Sequence, residues 1–519
     1  MKTRDEQDDA VDGGHATGRI DSDGLIEAPD KRLHPWSWLF VLLQQLKQFI
    51  VPLLALLFVG RGRSGGDGMQ ELWPLIGVGV LVISALWRYF TYRYRITDDS
   101  VVIRSGLLHR NLRQIPFSRI HNVALHQSVL HRLFGVAEVR LESAGGKKPE
   151  AEMRVLTLSE ANMLEQLVRH RGSLPTQATT DAAVSLDNVL LTLPTRELLR
   201  LGLVSNKGML VIAAAGAATS QVSPRLLPNL VEDWGTQVFG YADSHHFAPV
   251  DYLWIGLCLV VGIALLLRLF SLLIALLQYH GFRLERHGRR LTIERGLLTR
   301  LRTSASLRRL QAFTLRETLL HRLLKRRELQ VDTAVAEDHR KQRSLGELAP
   351  IATPDACDGL VRQLLPKADW PPQHWQPLHA AARWRLAMPS VLFATVLSAG
   401  LGWRFGAWGL LALLWIPWGM FVARQHAGRA GYACDDTLVS VRNGWWSRHW
   451  RFAEIDKLQG LQLKRNPLDR RCGTTTLRMD IAGASALAPR LQIRFLPDAT
   501  ARALYERLSL ELSRRPLRW

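Results

Sequence analysis

The segment 94–146 reads YRITDDSVVIRSGLLHRNLRQIPFSRIHNVALHQSVLHRLFGVAEVRLESAGG. Its short runs of β-branched residues, VVIR at 101–104 and VAEVRLE at 136–142, have the length and composition of strands, and the first is followed by Gly106. After them, 159–169 carries apolar residues at helical spacing. Several strands closed by one helix predict a small α+β domain, a β-sandwich or barrel with one capped end.

The same pattern occurs twice more in the chain. Gly106 aligns with Gly296 at an offset of 190 and with Gly444 at an offset of 338, and each register continues without gaps beyond thirty residues. The closing helix is matched by 354–365 and 498–510. Self-similarity at a constant register indicates a repeat architecture, so we predict three copies of one β-rich domain.

The first copy resembles the bacterial pleckstrin-homology-like (PH-like) domains of the YdbS/YdbT membrane-protein family. The matching motifs are Tyr-x-Ile-Thr, Gly-Leu-Leu, Ile-Pro-x-x-Arg-Ile and Gln-Ser-x-Leu-x-Arg-x-x-Gly, all within 94–135. The resemblance implies a seven-stranded, partly open β-barrel capped by a C-terminal helix at the bacterial plasma membrane. It also implies a role in envelope maintenance or antimicrobial-peptide tolerance, beside another PH-like membrane protein of the family. It brings no catalytic residues.

Apolar stretches precede each copy. A membrane-spanning helix needs about 20 mostly apolar residues. Six stretches meet or approach this length, which predicts a multi-pass α-helical membrane protein with six transmembrane helices in three pairs and three α+β PH-like domains. The six predicted spans are 36–60, 72–90, 201–220, 252–277, 386–401 and 405–423.

These expectations divide the chain into seven parts. An acidic, glycine-rich head at 1–34 is predicted to be a flexible cytoplasmic tail. Three helix pairs and three PH-like domains then alternate. The predicted pairs are 36–90, 198–278 and 384–425, and the predicted domains are 91–172, 279–368 and 428–512.

The net charge of +21 is distributed unevenly. Segments 91–172, 279–370 and 423–519 carry +5, +8 and +9, whereas the stretch 221–251 has one arginine against four acidic residues. Cytoplasmic loops of membrane proteins are enriched in lysine and arginine. The three copies and the N-terminus are therefore predicted to face the cytoplasm of a bacterial inner membrane.

Two basic clusters lie close to predicted spans. Each lysine or arginine near the anionic cytoplasmic leaflet contributes about 1 kcal/mol of attraction. This favours contact with anionic lipids over nucleic acid, which we do not expect as a partner. The alternative is that the charge only sets the topology. The predicted lipid-contact residues are Arg286, Arg289, Arg290, Lys325, Arg326 and Arg327.

Two cations lie inside predicted spans, Lys47 and Arg268. Each costs about 2.5–3.5 kcal/mol at the centre of a membrane helix on insertion scales, so such residues usually face a bundle interior or a water-filled path. They are our candidates for intramembrane functional residues. Snorkelling and interhelical hydrogen bonding are the alternatives.

Walker A and HExxH motifs are absent from the sequence, and strings that fit GxGxxG and GxSxG occur only in the glycine-rich stretch 60–66, where a short match of this kind is weak evidence. The pairs Asp98-Asp99 and Asp435-Asp436 are typical of turns. The four cysteines have no CxxC spacing, which supports neither a disulfide scaffold nor a zinc module. We therefore expect no enzymatic activity and no cofactor.

Histidines are the remaining candidates for metal ligands. The first copy contains His109, His121, His126 and His131, but a spacing of five residues does not place two side chains on one helical face. His245-His246 is predicted to lie in a solvated loop. We expect no metal site.

Two functions follow from these observations. The favoured one is a non-enzymatic plasma-membrane protein whose PH-like domains bind partner proteins, anionic lipid or both. The alternative is a transporter or lipid-handling protein that uses the membrane helices.

Overall fold

The computed structural model describes most of residues 90–143, 150–170, 189–222, 249–333, 346–483 and 489–514, with short pieces of 31–46, 79–87 and 228–240. The chain forms two compact units. One comprises Met1–Arg119 and Arg154–Gln177, and the other comprises Ile120–Met153 and Ala178–Trp519.

Each copy contributes seven strands to the described part of the chain. In the first copy the elements are β1 (Lys31–Arg32), β2 (Arg93–Ile96), β3 (Ser100–Ser105), β4 (Asn111–Pro116), β5 (Ile120–Gln127), α1 (Val129–Leu133), β6 (Val136–Ser143), β7 (Ala151–Thr157) and α2 (Leu158–His170).

The second copy contains the longest apolar helix between its first two strands. Its elements are β8 (Val189–Thr192), α3 (Thr195–Val204), α4 (Lys207–Val222), α5 (Pro249–Tyr279), β9 (Arg283–His287), β10 (Arg290–Arg295), β11 (Arg300–Ser306), β12 (Leu310–Glu317), α6 (Leu319–Leu323), β13 (Arg327–Thr333), β14 (Glu347–Ala352) and α7 (Pro354–Leu364).

The third copy repeats this order. Its elements are β15 (Gln376–Pro377), α8 (Ala382–Phe405), a 3-10 stretch (Gly406–Leu414), α9 (Trp415–Arg429), β16 (Gly431–Cys434), β17 (Leu438–Asn443), β18 (Arg448–Glu454), β19 (Leu458–Lys464), α10 (Pro467–Cys472), β20 (Thr474–Ile481), β21 (Gln492–Pro497) and α11 (Asp498–Arg514).

The first strand of each copy precedes the hydrophobic segment and pairs with the strand that follows it. Lys31 pairs with Tyr94, Thr192 with Arg283, and Gln376 with Tyr432. Because the two strands are antiparallel neighbours, the hydrophobic segment that connects them begins and ends at the same end of the strand pair.

The sheets are shared between consecutive copies. In the first unit, the order is β1-β2-β3-β4. In the second unit, one sheet has the order β6-β5-β11-β10-β9-β8, and the first three residues of β7 continue this sheet next to β6. A second sheet has the order β14-β13-β12-β18-β17-β16-β15, and a third is β19-β20-β21. The last three strands of a copy thus continue the sheet of the first four strands of the next copy.

The two junctions between copies use the same register. Gln127 of β5 pairs with Arg300 of β11, and Glu317 of β12 pairs with Arg448 of β18. By the repeat offsets of 190 and 338, Gln127 is equivalent to Glu317 and Arg300 is equivalent to Arg448, so the two pairs hold the same positions in the repeat. The repeat therefore extends from single domains to the contacts between them.

Within its described residues, the second unit contains two large apolar cores and a smaller cluster of Ala382, Ala427 and Phe495. The larger core combines residues of the second copy with Leu438 and Phe452 of the third. Trp370 stacks on Phe452 with 4.1 Å between ring centroids. The smaller core lies between β19–β21 and the closing helix α11, where Leu504 and Leu508 are buried. The closing helices of the second and third copies are thus packed against sheets.

The aligned glycines have a common backbone conformation. Gly106, Gly296 and Gly444 have φ of +94°, +111° and +89°, a region that L-residues rarely adopt. A Cβ on Gly444 would lie 1.9 Å from the carbonyl oxygen of Ser447, and one on Gly296 would lie 2.0 Å from that of Thr299. The turn after each third strand therefore requires glycine.

The prediction of six transmembrane helices in three pairs is wrong. The described residues contain two helical stretches long and apolar enough to cross a membrane, Leu253–Tyr279 and Ala382–Arg429. A third is obtained only if the bent pair Thr195–Val204 and Lys207–Ser220 counts as one span. Most of the predicted spans 36–60 and 72–90 lies outside the described residues.

Local packing explains the difference. The predicted span 201–220 is interrupted after Val204, where the chain bends by 55° before Lys207. The predicted spans 386–401 and 405–423 belong to one helical stretch whose halves pack together. A Cβ on Gly419 of α9 would meet the Cβ of Ser390 in α8 at 2.5 Å. Small residues at this position permit the close approach of the two backbones.

Candidate anion-binding site

A cavity of about 240 Å³ lies where the third hydrophobic segment enters its sheet. Since a water molecule occupies about 30 Å³ of the liquid, this cavity can hold a phosphate group with part of its substituents. It is an open depression bordered by the end of α9, the turn between β17 and β18, and the first residues of β18. Its lining residues are Gly428, Arg429, Arg442, Asn443, Gly444, Arg448 and Trp450.

Three elements bring three arginines to this cavity. Arg429 is the last residue of α9, Arg442 lies near the end of β17, and Arg448 begins β18. The antiparallel pairing of β17 with β18 aligns Arg442 with Trp450 across the strands. The left-handed turn at Gly444 therefore holds Arg442 and Arg448 on the two sides of one hairpin end.

Two of the guanidinium groups have unused donors. The buried Nε atoms of Arg442 and Arg448 have no hydrogen-bond partner among the described residues. The Arg442 guanidinium lies 4.8 Å from the centre of the Trp375 ring, and Arg448 Nη1 lies 3.7 Å from Glu317 Oε1. A buried donor without a partner is costly, so an incoming acceptor would be stabilised here.

The electrostatics also favour an anion. Burial lowers the pKa of Arg442 and of Arg448 from the ordinary arginine value, and the nearby charge of Arg429 lowers both further. Both effects disfavour the charged guanidinium. An anion between these side chains would relieve the repulsion.

The second copy has a carboxylate at the matching position. Glu294 aligns with Arg442 and Arg300 aligns with Arg448 at the repeat offset. Glu294 and Arg300 form an ion pair. The second copy therefore has a carboxylate at the position that Arg442 holds in the third copy.

Aromatic residues place the cavity close to the membrane segment. Trp445, directly after Gly444, lies 5.5 Å from Phe421 of α9 between ring centroids, and Trp446 is 55% exposed. Tryptophan is enriched at membrane–water interfaces. The turn that carries the cavity therefore has the composition of an interfacial anchor.

The cluster predicted at 325–327 is largely engaged in internal contacts. Arg326 donates from Nε and Nη2 to the Glu197 carboxylate, both at 2.8 Å, and this pairing raises the pKa of Arg326. Arg327 pairs with Asp358 and lies 4.9 Å from the centre of the Trp450 ring. Lys325 is exposed.

The cluster predicted at 286–290 lies on the β9–β10 hairpin. Arg286 donates to the backbone carbonyl oxygens of Gly288 and Gln363. Arg289 is exposed and Arg290 is half-buried. For both clusters lipid contact stays a prediction, and neither cluster lines the cavity.

Arg268 stabilises the bend between α3 and α4. Its Nη1 donates to the carbonyl oxygen of Leu203 at 2.9 Å and to Oδ1 of Asn206 at 3.0 Å. The Ser271 hydroxyl donates to the carbonyl oxygen of Ser205 at 2.6 Å. These donors satisfy carbonyls that the helix end leaves open. A functional role of Arg268 stays a prediction, and Lys47 lies outside the described residues.

Among the described residues, no group of three side chains that could bind a metal ion occurs. Burial lowers the pKa of His126 to about 4, and the Arg140 charge adds to this effect. His131 Nδ1 lies 2.6 Å from the Ser128 hydroxyl.

Asp436 pairs with Arg507 at 2.7 Å, while the Asp435 amide donates to the Leu438 carbonyl oxygen, as in a turn. The remaining predicted candidates have side chains outside the described part of the chain: His109, His121, His245, His246 and Asp98.

The arginine cavity was not predicted, because its arginines do not form a contiguous basic cluster in the sequence. Arg429, Arg442 and Arg448 are separated in the chain and meet only through the hairpin. A usable signal was present: Arg-x-Gly-x-x-x-Arg occurs at 442–448 and again at 104–110.

Comparisons with known proteins agree on the type of domain. The model of a family described as "Bacterial PH domain" matches residues 40–172, 246–357 and 388–512. The chain is similar to a UPF0699 transmembrane protein, YdbT, of Bacillus subtilis (strain 168), with 24% identity over 411 residues. The alignment covers 75% of this chain and 79% of that protein. No solved structure matches the chain.

Proposed function

Because the chain belongs to the bacterial PH domain family, we propose that it is a non-enzymatic membrane protein whose third copy binds the phosphate of an anionic lipid headgroup. The observation that carries the proposal is the cavity lined by Arg429, Arg442 and Arg448, in which two buried Nε donors have no partner among the described residues.

The chemistry of arginine fits this ligand. A guanidinium presents donors in a planar fork that matches phosphate oxygens, and such charge-assisted hydrogen bonds are about twice as strong as neutral ones. Three guanidinium groups around one cavity provide more charge than one phosphate diester needs. A headgroup bound here would place its acyl chains beside α9.

The proposed orientation is cytoplasmic. The basic excess of the three copies supports it, because cytoplasmic segments are enriched in lysine and arginine. The anionic leaflet would then face the cavity. A reporter fused after Arg514 should be active only in the cytoplasm, and activity outside the cell would refute this orientation.

The role we propose is maintenance of the cell envelope by a protein that senses or retains anionic lipid at the inner membrane. Binding of partner proteins by the PH-like domains belongs to the same proposal. Neither role requires a reaction centre.

Lipid titration of the purified full-length protein tests the ligand. The protein in detergent micelles is titrated with short-chain phosphatidylglycerol, short-chain phosphatidylcholine or inorganic phosphate, and bound molecules are counted by native mass spectrometry. We expect one site for phosphatidylglycerol that phosphatidylcholine does not fill. Binding of inorganic phosphate with equal affinity would identify free phosphate as the ligand instead.

A matched pair of variants assigns the site. Arg442→Glu reproduces the arrangement of the second copy, where Glu294 pairs with Arg300. It should weaken phosphatidylglycerol binding at least tenfold. Arg471→Glu makes the same charge change on an exposed residue of α10 and should alter binding less than twofold. Equal losses in both variants would show that net charge, and not the cavity, binds the lipid.

A further inference from the structure

Two sheet edges of this chain match each other. Among the described strands, β19 ends the sheet of the third copy and β4 ends the sheet of the first unit. The strands equivalent to β19 are β5 and β12, and those equivalent to β4 are β11 and β18. Those equivalent strands pair with one another at both internal junctions.

We propose that β19 of one molecule pairs with β4 of a second copy, so that the protein assembles head to tail through the junction it already uses twice internally. An edge strand presents a row of backbone donors and acceptors and is a template for another strand. A contact between two different surfaces of the same chain is heterologous, and it produces a ring or an open array in the membrane plane.

The internal junctions fix the register of the proposed one. Leu125 pairs with Arg302 at the first junction, and Leu315 pairs with Trp450 at the second. The repeat offsets convert both pairs into Leu463 opposite Leu112. By the same conversion Leu461 lies opposite Gln114, and Arg465 lies opposite Arg110.

Side chains of β19 and β4 are exposed, as expected for two strand edges that could still accept a partner strand. At the second junction every residue of β12 except Arg316 is buried. In β19 only Leu458 is buried, although the two strands hold equivalent positions. Leu112 of β4 is 63% exposed. The apolar pair Leu463–Leu112 would be covered if the two edges met.

Charge makes the proposed junction weaker than the internal ones. Arg448 lies opposite Glu317, with 3.7 Å between Nη1 and Oε1, whereas Arg465 would lie opposite Arg110. Like charges directly across a strand pair are destabilising. The assembly should therefore be reversible, and substitution of one arginine should strengthen it.

Cysteine pairing between differently tagged molecules tests the register. One molecule carries Leu463→Cys or Leu461→Cys, the other carries Leu112→Cys or Gln114→Cys, and both are co-expressed and oxidised in native membranes. The matched combinations are 463 with 112 and 461 with 114. We expect these to form mixed-tag disulfides at least fivefold more efficiently than the crossed combinations, since the Cα atoms of directly opposed residues are within the range of a disulfide.

The native cysteines are retained, and each single substitution serves as the background control. Equal yields in all four combinations, or no mixed-tag product from proteins that are inserted in the membrane, would overturn the proposal. A disulfide that forms only when both cysteines are on one molecule would also overturn it, because the chain would then close on its own β4.

A charge reversal gives a second, independent readout. Arg110→Glu should raise the yield of the matched pairs severalfold, because it places a carboxylate opposite Arg465. Combining Arg110→Glu with Arg465→Glu should return the yield to the original level. An effect of Arg110→Glu that persists in the double variant would contradict the register.

Discussion

Replacing Glu347 by glutamine should strongly destabilise the second unit. The Glu347 side chain is 9% exposed, and its carboxylate accepts from Arg295 at 2.9 Å and from the Tyr279 hydroxyl. Lys207 Nζ lies 3.3 Å from the same carboxylate. Breaking a buried ion pair from one side costs about 3–5 kcal/mol, because the other charge loses its compensation. Glu347→Gln leaves the buried Arg295 facing a neutral amide.

Thermal unfolding of the full-length protein in detergent, followed by tryptophan fluorescence at one scan rate, measures this cost. At about 2.1 cal/mol/K of unfolding entropy per residue, a second unit of roughly 380 residues shifts by about 1.3 °C per kcal/mol, so the variant should lose roughly 4–6 °C. Hydrogen exchange in β14 should increase in parallel. The matched control is Glu294→Gln, which removes an ion pair whose side chains are 26% and 56% exposed. Such a surface pair contributes about 0–1 kcal/mol.

The pKa of Glu347 determines how the stabilisation by its carboxylate depends on pH. Burial alone would raise the pKa of Glu347, but the charges of Lys207 and Arg295 outweigh it and hold the pKa below the ordinary value. The stabilisation is therefore present above the unfolded pKa of about 4.3 and is lost as the pH falls through the lower folded value. The difference between the wild type and Glu347→Gln should be constant from pH 6 to 8 and should shrink below pH 4. A loss at pH 7 no larger than that of Glu294→Gln would refute the reasoning.

Three further predictions concern the turn, the helix bend and the membrane interface. Gly444→Ala should cost about 1–3 kcal/mol and weaken phosphatidylglycerol binding, because the new Cβ would clash with the Ser447 carbonyl oxygen. Gly428→Ala has no such neighbour and serves as the control in thermal unfolding. Arg268→Leu should cost about 1–3 kcal/mol by leaving acceptors at the bend unsatisfied, and Arg268→Lys should recover part of it in limited proteolysis. In nanodiscs with brominated lipids, Trp446→Ala should remove a quenched component of the tryptophan fluorescence, and unchanged quenching would exclude an interfacial position.

The repeat and its local structure could be predicted from the sequence because they depend on residues close together in the chain. The glycines aligned at constant offsets adopt the same left-handed turn in all three copies. The closing helices predicted at 159–169, 354–365 and 498–510 are observed at Leu158–His170, Pro354–Leu364 and Asp498–Arg514.

The sharing of sheets could not be predicted, because it depends on which strand edges meet. Nothing in the composition of β5 or β12 distinguishes a neighbour from the same copy from one in the next copy. The strand β8 was also missed, since its pairing partner β9 follows the hydrophobic segment. Hydropathy predicted six spans because it depends on composition alone and carries no information on the bend after Val204 or on the packing of Gly419 against Ser390.

The arginine cavity needed the same three-dimensional information. Arg429 ends a helix, and Arg442 and Arg448 lie on either side of a turn. Their meeting follows from strand register, which the sequence offsets alone do not specify.

The strand pairs that enclose each hydrophobic segment have a consequence for biosynthesis. β8 leaves the ribosome before α5 is made, and its partner β9 emerges only afterwards. At roughly 5–20 residues per second, the interval from Val189 to Glu285 corresponds to about 5–20 s of translation. During that time β8 has no β9 to pair with, so the completion of this sheet must wait for synthesis of the apolar segment between the two strands. Synthesis of the apolar segment therefore sets the earliest time at which this part of the sheet can form.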